Sequence, residues 1–153
     1  MKLEMKIIVI VAAVIAGSIF ASHFLLGQNN TASNTTEIKF AGVILSVELA
    51  KTPQAQQMGL SGRVTLAADR GMLFVFNSES NWGFWMKDMK FPLDIIWFDS
   101  NRRVVYIEQD LPPCTPQLCP IYTPPTNAMY VLEVNAGFVQ AHSVALGDVF
   151  SFV

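Results

Sequence analysis

Four residues with side chains suited to ligand recognition lie close together in the chain: Trp85, Met86, Lys87 and Asp94. They belong to a span, 82–98, that holds all three tryptophans. An aromatic wall with a few placed polar groups is the usual make-up of a small-molecule site. We expect Trp85 and Met86 to line a pocket, with Lys87 and Asp94 presenting charge at its rim and Arg63 as an anion contact.

Asp94 also has a structural interpretation, which the sequence leaves open. A buried carboxylate must be paired, either with Lys87 or Arg63 or with backbone N–H groups, whether or not it binds a ligand. A further alternative is a hydrolase that acts on envelope material with Asp94 and a nearby carboxylate. The other candidate carboxylates are scattered over three predicted strands, so no pair is indicated and we assign no catalytic residue.

Two groups of sulfur-containing residues are candidates for metal or redox sites. Cys114 and Cys119 lie in a proline-rich loop, and in an exported domain two cysteines this close predict a disulfide. A Cu(I) site built from methionines and His142 is an alternative function, although methionine within apolar strands is typical core filler. We predict no metal and no other cofactor. The methionines concerned are Met58, Met72, Met86, Met89 and Met129.

The first 27 residues are predicted to be a membrane anchor or signal. No charged residue occurs from Ile7 to Gly27, and about 21 residues at ~1.5 Å each form a helix of roughly 30 Å, which can cross a bilayer. Lys2 and Lys6 precede this run, and no further Lys or Arg occurs before Lys39. The charge distribution therefore predicts a single-pass protein with its C-terminal domain outside the cytoplasm. Secretion after signal cleavage is the alternative.

Residues 28–36 are polar and predict a flexible tether. Asn29 and Asn34 each begin an Asn-X-Thr pattern, which makes them candidate glycosylation sites on an exported chain.

Residues 37–153 have the length of one compact domain. The net charge of the chain is −2, which gives no electrostatic case for nucleic-acid binding. Short apolar or alternating runs separated by turn residues predict an all-β domain, a sandwich or a barrel-like fold with one or two short helices. Two runs, 71–76 and 93–98, are apolar at every position or nearly so and predict strands buried on both faces.

Several short motifs occur in a fixed order: Gly59-Leu60, Arg63, Gly71-Met72-Leu73-Phe74, Phe84-Trp85-Met86-Lys87, Pro92-Leu93-Asp94, Val131-Leu132-Glu133-Val134, Gly137 and Gly147-Asp148. In this order they resemble the bacterial and archaeal family called domain of unknown function 192. The resemblance covers essentially all of the chain after the tether. It implies a β-sandwich-like domain that frequently follows a signal or anchor segment, and it implies no activity.

The sequence therefore predicts a membrane-anchored, extracytoplasmic β-domain that acts as a ligand-binding or interaction module. A hydrolase, a structural envelope component and a copper-binding protein are the alternatives. Its partners are predicted to be the membrane, through the N-terminal helix, and an unidentified small molecule or envelope component.

Overall fold

β-Strands are the main elements of the domain. The computed structural model describes residues 34–115 and 117–153, which belong to a unit spanning Ser33–Val153. Within the described residues the strands are β1 (Thr35–Phe40), β2 (Val43–Ala50), β3 (Arg70–Ser80), β4 (Phe84–Trp85), β5 (Leu93–Phe98), β6 (Val104–Leu111), β7 (Ile121–Tyr122), β8 (Ala128–Asn135) and β9 (Ser151–Phe152), and the helices are α1 (Pro53–Met58) and α2 (Phe138–Ala141). The predicted all-β class is confirmed.

Seven strands form one sheet in the order β6-β5-β8-β3-β2-β1-β9, and β4 and β7 pair separately. Neighbours in the large sheet are antiparallel except β2 and β3, which are parallel. A parallel pair needs a crossover connection, and α1 lies within it. An isolated bridge between Arg103 and Val149 joins the two edges of the sheet, so the sheet curls around one of its faces.

The central strand β5 is buried at all six positions, as its continuous apolar run predicts. Its side chains alternate between two clusters because successive residues of a strand point to opposite faces. Ile96 and Phe98 join the first core, on the concave side, with Phe40, Leu73 and Leu132. The second core lies on the other face and contains Leu93, Ile95 and Trp97 of β5. It also includes Met72, Phe74, Phe84, Met86 and Val131. The small β4–β7 sheet contributes Phe84 to this second core.

Thr52-Pro53 predicts an N-cap followed by proline in the first turn of a helix, and α1 begins there. The Thr52 hydroxyl accepts a hydrogen bond from the backbone N–H of Ala55 at 3.2 Å, with Pro53 in the first turn. The Gln56 amide then donates to the carbonyl oxygens of Ala50 and Val75, at 3.2 and 3.0 Å. These two bonds fix the short helix against the end of β2 and the middle of β3.

The polar residues Asn77–Asn81 predict a turn from composition alone, and this prediction is wrong. Strand β3 continues to Ser80, which pairs with Ala128 after a register shift beyond Val75. Asn77, Ser78 and Glu79 are exposed, so polar side chains are accommodated in a strand that extends into solvent.

The predicted membrane helix, 7–27, and most of the tether lie outside the described residues. Within the part of the chain that the structure does describe, none of the helices has the length and apolar character needed to cross a bilayer.

Candidate functional site

A cavity of about 140 Å³ lies over the second core, between α1, β3 and β4. We call it the Glu133 cavity. Most of its lining is apolar or aromatic, and its polar residues come from α1, the turn after α1 and strand β8. The lining residues are Gln56, Gln57, Met58, Gly59, Leu60, Ser61, Phe74, Phe76, Trp82, Gly83, Phe84, Trp85, Met89 and Glu133.

Glu133 is the chemically unusual residue of this lining. It lies in β8 with Met72 of β3 on one side and Ile95 of β5 on the other, two apolar neighbours. The residue is 5% exposed, and none of the described residues forms a hydrogen bond with its Oε2 atom. Burial raises the pKa of Glu133 to about 8, and the nearby charge of Arg63 opposes that rise. The carboxyl group is therefore mostly protonated at neutral pH.

Arg63 does not neutralise Glu133, because another carboxylate occupies its guanidinium group. Its two terminal nitrogens donate to the two carboxylate oxygens of Glu48 at 2.5 and 2.7 Å. This bidentate hydrogen bond lowers the pKa of Glu48 and raises that of Arg63. Glu133 is left with a cation in its vicinity but with no direct partner.

Gly59 brings the backbone close to the Glu133 carboxyl. It ends α1 with φ +52 and ψ −138, a conformation that strains residues with a Cβ atom. A Cβ atom at this position would lie 3.4 Å from Cζ of Phe74 and 3.8 Å from Oε2 of Glu133. The Gly59-Leu60 motif therefore allows the chain to turn directly against the buried carboxyl.

Aromatic rings form the walls of the cavity. Phe76 and Trp82 stack with their centroids 4.0 Å apart, and Phe74 meets Phe84 edge to face at 4.7 Å. The backbone oxygen of Trp82 accepts a hydrogen bond from the Trp97 indole at 2.9 Å. The indole Nε1 of Trp82 is itself buried and finds no hydrogen-bond partner within residues 34–115 and 117–153, so a second polar atom of the lining residues is unsatisfied there.

The structure brings some of the predicted site residues to this region. Trp85 lines the cavity and is 45% exposed. The Lys87 Nζ atom lies 5.2 Å from the centroid of its ring, within the range of a cation–π contact. Met86 is completely buried in the second core, and Arg63 is held by Glu48.

Asp94 lies on the other face of the sheet. It alternates with Ile95 and pairs with Val134, a member of the first core. Its two carboxylate oxygens accept hydrogen bonds from the backbone N–H groups of Asp110 and Val139, each at 2.8 Å. The geometry therefore separates Asp94 from Trp85 and Lys87 and gives its carboxylate a backbone-binding role.

The sulfur-containing residues take different places. Cys114 and Cys119 form a disulfide, as predicted. Met72, Met86 and Met89 are buried in the second core, whereas His142 packs on Phe138 with a centroid separation of 4.5 Å. Within the described residues no group of three His, Cys, Asp or Glu side chains is arranged to hold a metal ion.

Of the two candidate glycosylation sites, Asn29 lies outside the described residues. Asn34 is exposed, and its side-chain Nδ2 donates a hydrogen bond to the carbonyl oxygen of Leu49. Nδ2 is the atom to which a glycan would be attached, so this hydrogen bond occupies it in the structure.

Sequence reasoning missed Glu133 as a site residue. The signal was present in Val131-Leu132-Glu133-Val134, where a single charged residue interrupts an apolar run. Such a residue in a strand buried on both faces is enclosed, and an enclosed carboxyl needs a partner. The sequence does not show whether a partner is supplied. The structure does, because the register of β8 places the apolar residues Met72 of β3 and Ile95 of β5 beside Glu133.

Comparisons with known proteins support the family resemblance that the order of motifs indicates. The family model DUF192, described as "Uncharacterized ACR", matches residues 35–152. A UPF0127 protein of Thermococcus gammatolerans is 33% identical over 69% of this chain and 65% of its own length. A second UPF0127 protein, from Thermococcus kodakarensis, is 31% identical over 55% of this chain and 51% of its own length. The chain thus spans less than two thirds of these relatives.

Two solved structures share the fold. One, from Sinorhizobium meliloti 1021 and named a "putative transcription regulator", has a TM-score of 0.70 and 31% identity, and the match covers 77% of this chain and 92% of that one. The other, a protein of unknown function from Novosphingobium aromaticivorans, has a TM-score of 0.69 and 28% identity over 76% and 84% of the two chains. From the family match over most of its length, the chain belongs to the DUF192 family.

Proposed function

We propose that this protein is a membrane-anchored, extracytoplasmic binding module that takes up a small molecule in the Glu133 cavity. The observation that carries the proposal is Glu133, which lines a largely aromatic cavity and whose buried Oε2 atom has no hydrogen-bond partner among the described residues. A cavity with apolar walls and a few polar groups is the general form of a small-molecule site.

The energetic cost of Glu133 supports this assignment. Burying a carboxyl group without a hydrogen bond destabilises a fold by about 1–3 kcal/mol. A hydrophobic residue of similar size would avoid this cost, so the group needs a reason other than stability. Binding sites are where such locally unfavourable groups are concentrated.

The proposed location rests on two features. The apolar run 7–27 follows Lys2 and Lys6, the charge arrangement of a helix whose C-terminal side faces outward. The Cys114–Cys119 disulfide is of a kind that persists in oxidising compartments and is rare in the cytosol.

The hydrolase alternative has less support from the geometry. It requires Asp94 to act on a substrate, but both oxygens of that carboxylate accept backbone hydrogen bonds on the face opposite the cavity. We therefore base the proposal on binding and assign no reaction to the domain.

A ligand screen with a blocked cavity tests the proposal. Small molecules of about the size of benzene would be screened by thermal shift on the full chain in detergent, together with Gln57→Trp and Gln54→Trp variants. Both glutamines are exposed on α1, but only Gln57 lines the cavity.

We expect at least one compound to raise the melting temperature of the wild type and of Gln54→Trp, because a ligand that binds only the folded state stabilises it. The shift should be lost in Gln57→Trp, where the indole covers the cavity mouth. A ligand that stabilises all three proteins equally would place binding elsewhere, and a broad screen without any stabilising compound would contradict the proposed function.

A further inference from the structure

We infer that the Glu133 cavity recognises a small organic cation of the methylated-ammonium class, held between its aromatic walls and the Glu133 carboxylate. This inference rests on the proposed function and specifies the chemistry of the ligand. It follows from the ring arrangement, the charge distribution and the cavity size.

The walls of the cavity are suited to a cation. Five aromatic side chains line it: Phe74, Phe76, Trp82, Phe84 and Trp85. The faces of aromatic rings carry negative potential, and groups of such rings recognise quaternary ammonium ligands. The Trp85 ring also makes a cation–π contact with the Lys87 ammonium group, 5.2 Å from its centroid. This contact lies outside the cavity, because Lys87 is not part of the cavity lining.

The charged groups near Glu133 leave its carboxylate available as the anionic partner of a bound cation. Strands β3 and β5 place Met72 and Ile95 beside it, and α1 contains no acidic or basic residue in its first or last turn. The nearby cation is Arg63, which Glu48 of β2 holds in a bidentate pair. A bound cation would place a positive charge in direct contact with Glu133, which the described residues do not do.

The supply of hydrogen-bond acceptors favours a methylated ammonium over a primary one. A primary ammonium group has three N–H donors that need acceptors when they are buried. The five aromatic walls offer none, and the side-chain acceptors of the lining are confined to its few polar residues, Gln56, Gln57, Ser61 and Glu133. A quaternary ammonium group has no N–H to satisfy and needs none of them. The volume of about 140 Å³ is close to that of cavities that hold benzene, and a trimethylammonium group is no larger.

Binding of a cation should be coupled to release of a proton. The pKa of Glu133 in the free protein is about 8, so at neutral pH the carboxyl holds a proton that must leave for solvent when a cation binds. Arg63, with Glu48 attached, is the charged group that acts on it. Affinity for the cation should therefore rise by about tenfold between pH 7 and pH 9.

Choline and its uncharged analogue 3,3-dimethyl-1-butanol, in which carbon replaces nitrogen, test this inference. Binding of each to the full chain in detergent would be measured by calorimetry at pH 7 and pH 9, with wild type, Glu133→Gln and Glu37→Gln. Glu37 is exposed on β1 and provides the same chemical change away from the cavity. Trp85→Leu is a second variant at a half-exposed position, where folding should be unaffected.

We expect choline to bind at least ~10-fold more tightly than the neutral analogue at pH 9. Glu133→Gln should remove the preference and its pH dependence, Trp85→Leu should weaken choline more than the analogue, and Glu37→Gln should change neither. Thermal melts of the variants establish that they are folded.

Equal binding of the two compounds, or tighter binding at lower pH, would overturn the cation assignment. The second result would indicate a ligand that accepts hydrogen bonds from protonated Glu133 and from the Trp82 indole, and the proposed binding function would stand. If neither compound binds while the thermal-shift screen finds a cavity ligand, the cation assignment again fails alone. Failure of both experiments would reject the binding function itself.

Discussion

Two buried carboxyl groups in neighbouring strands show how the surroundings of a residue decide its role. Asp94 and Glu133 are 1% and 5% exposed, and both interrupt apolar strands. Asp94 receives two backbone N–H groups on the concave face, which satisfies a carboxylate. Glu133 faces apolar and aromatic neighbours on the other side and receives none. A buried carboxyl is therefore satisfied by backbone hydrogen bonds in β5, whereas the carboxyl in the neighbouring strand β8 has no such bonds from the described residues.

The unfavourable burial of Glu133 should make stability depend on pH. Its pKa is raised from 4.5 to about 8 in the folded protein, so between these values the folded state keeps a proton that the unfolded state has lost. The free energy of unfolding must then fall as pH rises through this window. Glu133→Gln removes the titration, and the variant should gain stability over wild type from pH 5 to pH 8, by up to a few kcal/mol.

Denaturant unfolding of both proteins at pH 5, 7 and 9 measures this difference. Glu37→Gln is the matched control, because its side chain is exposed and its substitution should leave the pH profile unchanged. A gap between wild type and Glu133→Gln that is the same at all three pH values would mean that the Glu133 carboxyl titrates normally in the folded state.

At the scale of elements, α1 and its turn hold the rim of the cavity in place. The helix has six residues and none of them is buried, so its own hydrogen bonds and apolar contacts cannot fix its position. The Gln56 amide does so instead, through the carbonyl oxygens of Ala50 and Val75. One side chain thereby connects the helix to the two parallel strands that flank it.

Replacing Gln56 with methionine should release the helix from the sheet. The change keeps the length and the methylene stem of the side chain but leaves two carbonyl oxygens without this donor, at an expected cost of about 1–3 kcal/mol. Gln54→Met, on the exposed side of the same helix, should cost less than ~0.5 kcal/mol. Urea unfolding gives both values, and equal losses in the two variants would mean that the Gln56 bonds contribute nothing to stability.

The elements were largely predictable from the sequence, whereas the site was not. Thr52-Pro53 specifies the start of α1 because capping is local chemistry, and the apolar run from Leu93 to Phe98 specifies a strand buried on both faces. The cavity depends on the register that places Glu133 between Met72 and Ile95, and on the partner that Arg63 selects. Both are long-range contacts, so the sequence grouped Asp94 with Trp85 although a sheet separates them.

At the scale of the whole molecule, the disulfide loop bears on the proposed compartment of the domain. Cys114 and Cys119 close a short loop next to the β4–β7 sheet, and the backbone N–H of Cys114 donates to the Met86 carbonyl at 3.2 Å. A bridge with this spacing contributes about 2 kcal/mol in the chain-entropy model. That contribution exists only where the thiols are oxidised.

The proposed orientation, with the domain outside the cytoplasm, therefore predicts the state of the two thiols in cells. Intact cells would be treated with acid to trap thiols, and the full chain would be isolated and labelled with a thiol-specific mass tag. We expect no label on the wild type, because both cysteines should be joined in a disulfide.

A variant in which Lys2 and Lys6 are replaced by Gln and two Lys are inserted after Gly27 should invert the helix, since positive charge stays on the cytoplasmic side. This inverted variant should take up two labels, because cytosolic thiols are kept reduced. Two labels on the wild type would place the domain in the cytoplasm, and a Cys114→Ser, Cys119→Ser variant gives the background of the assay.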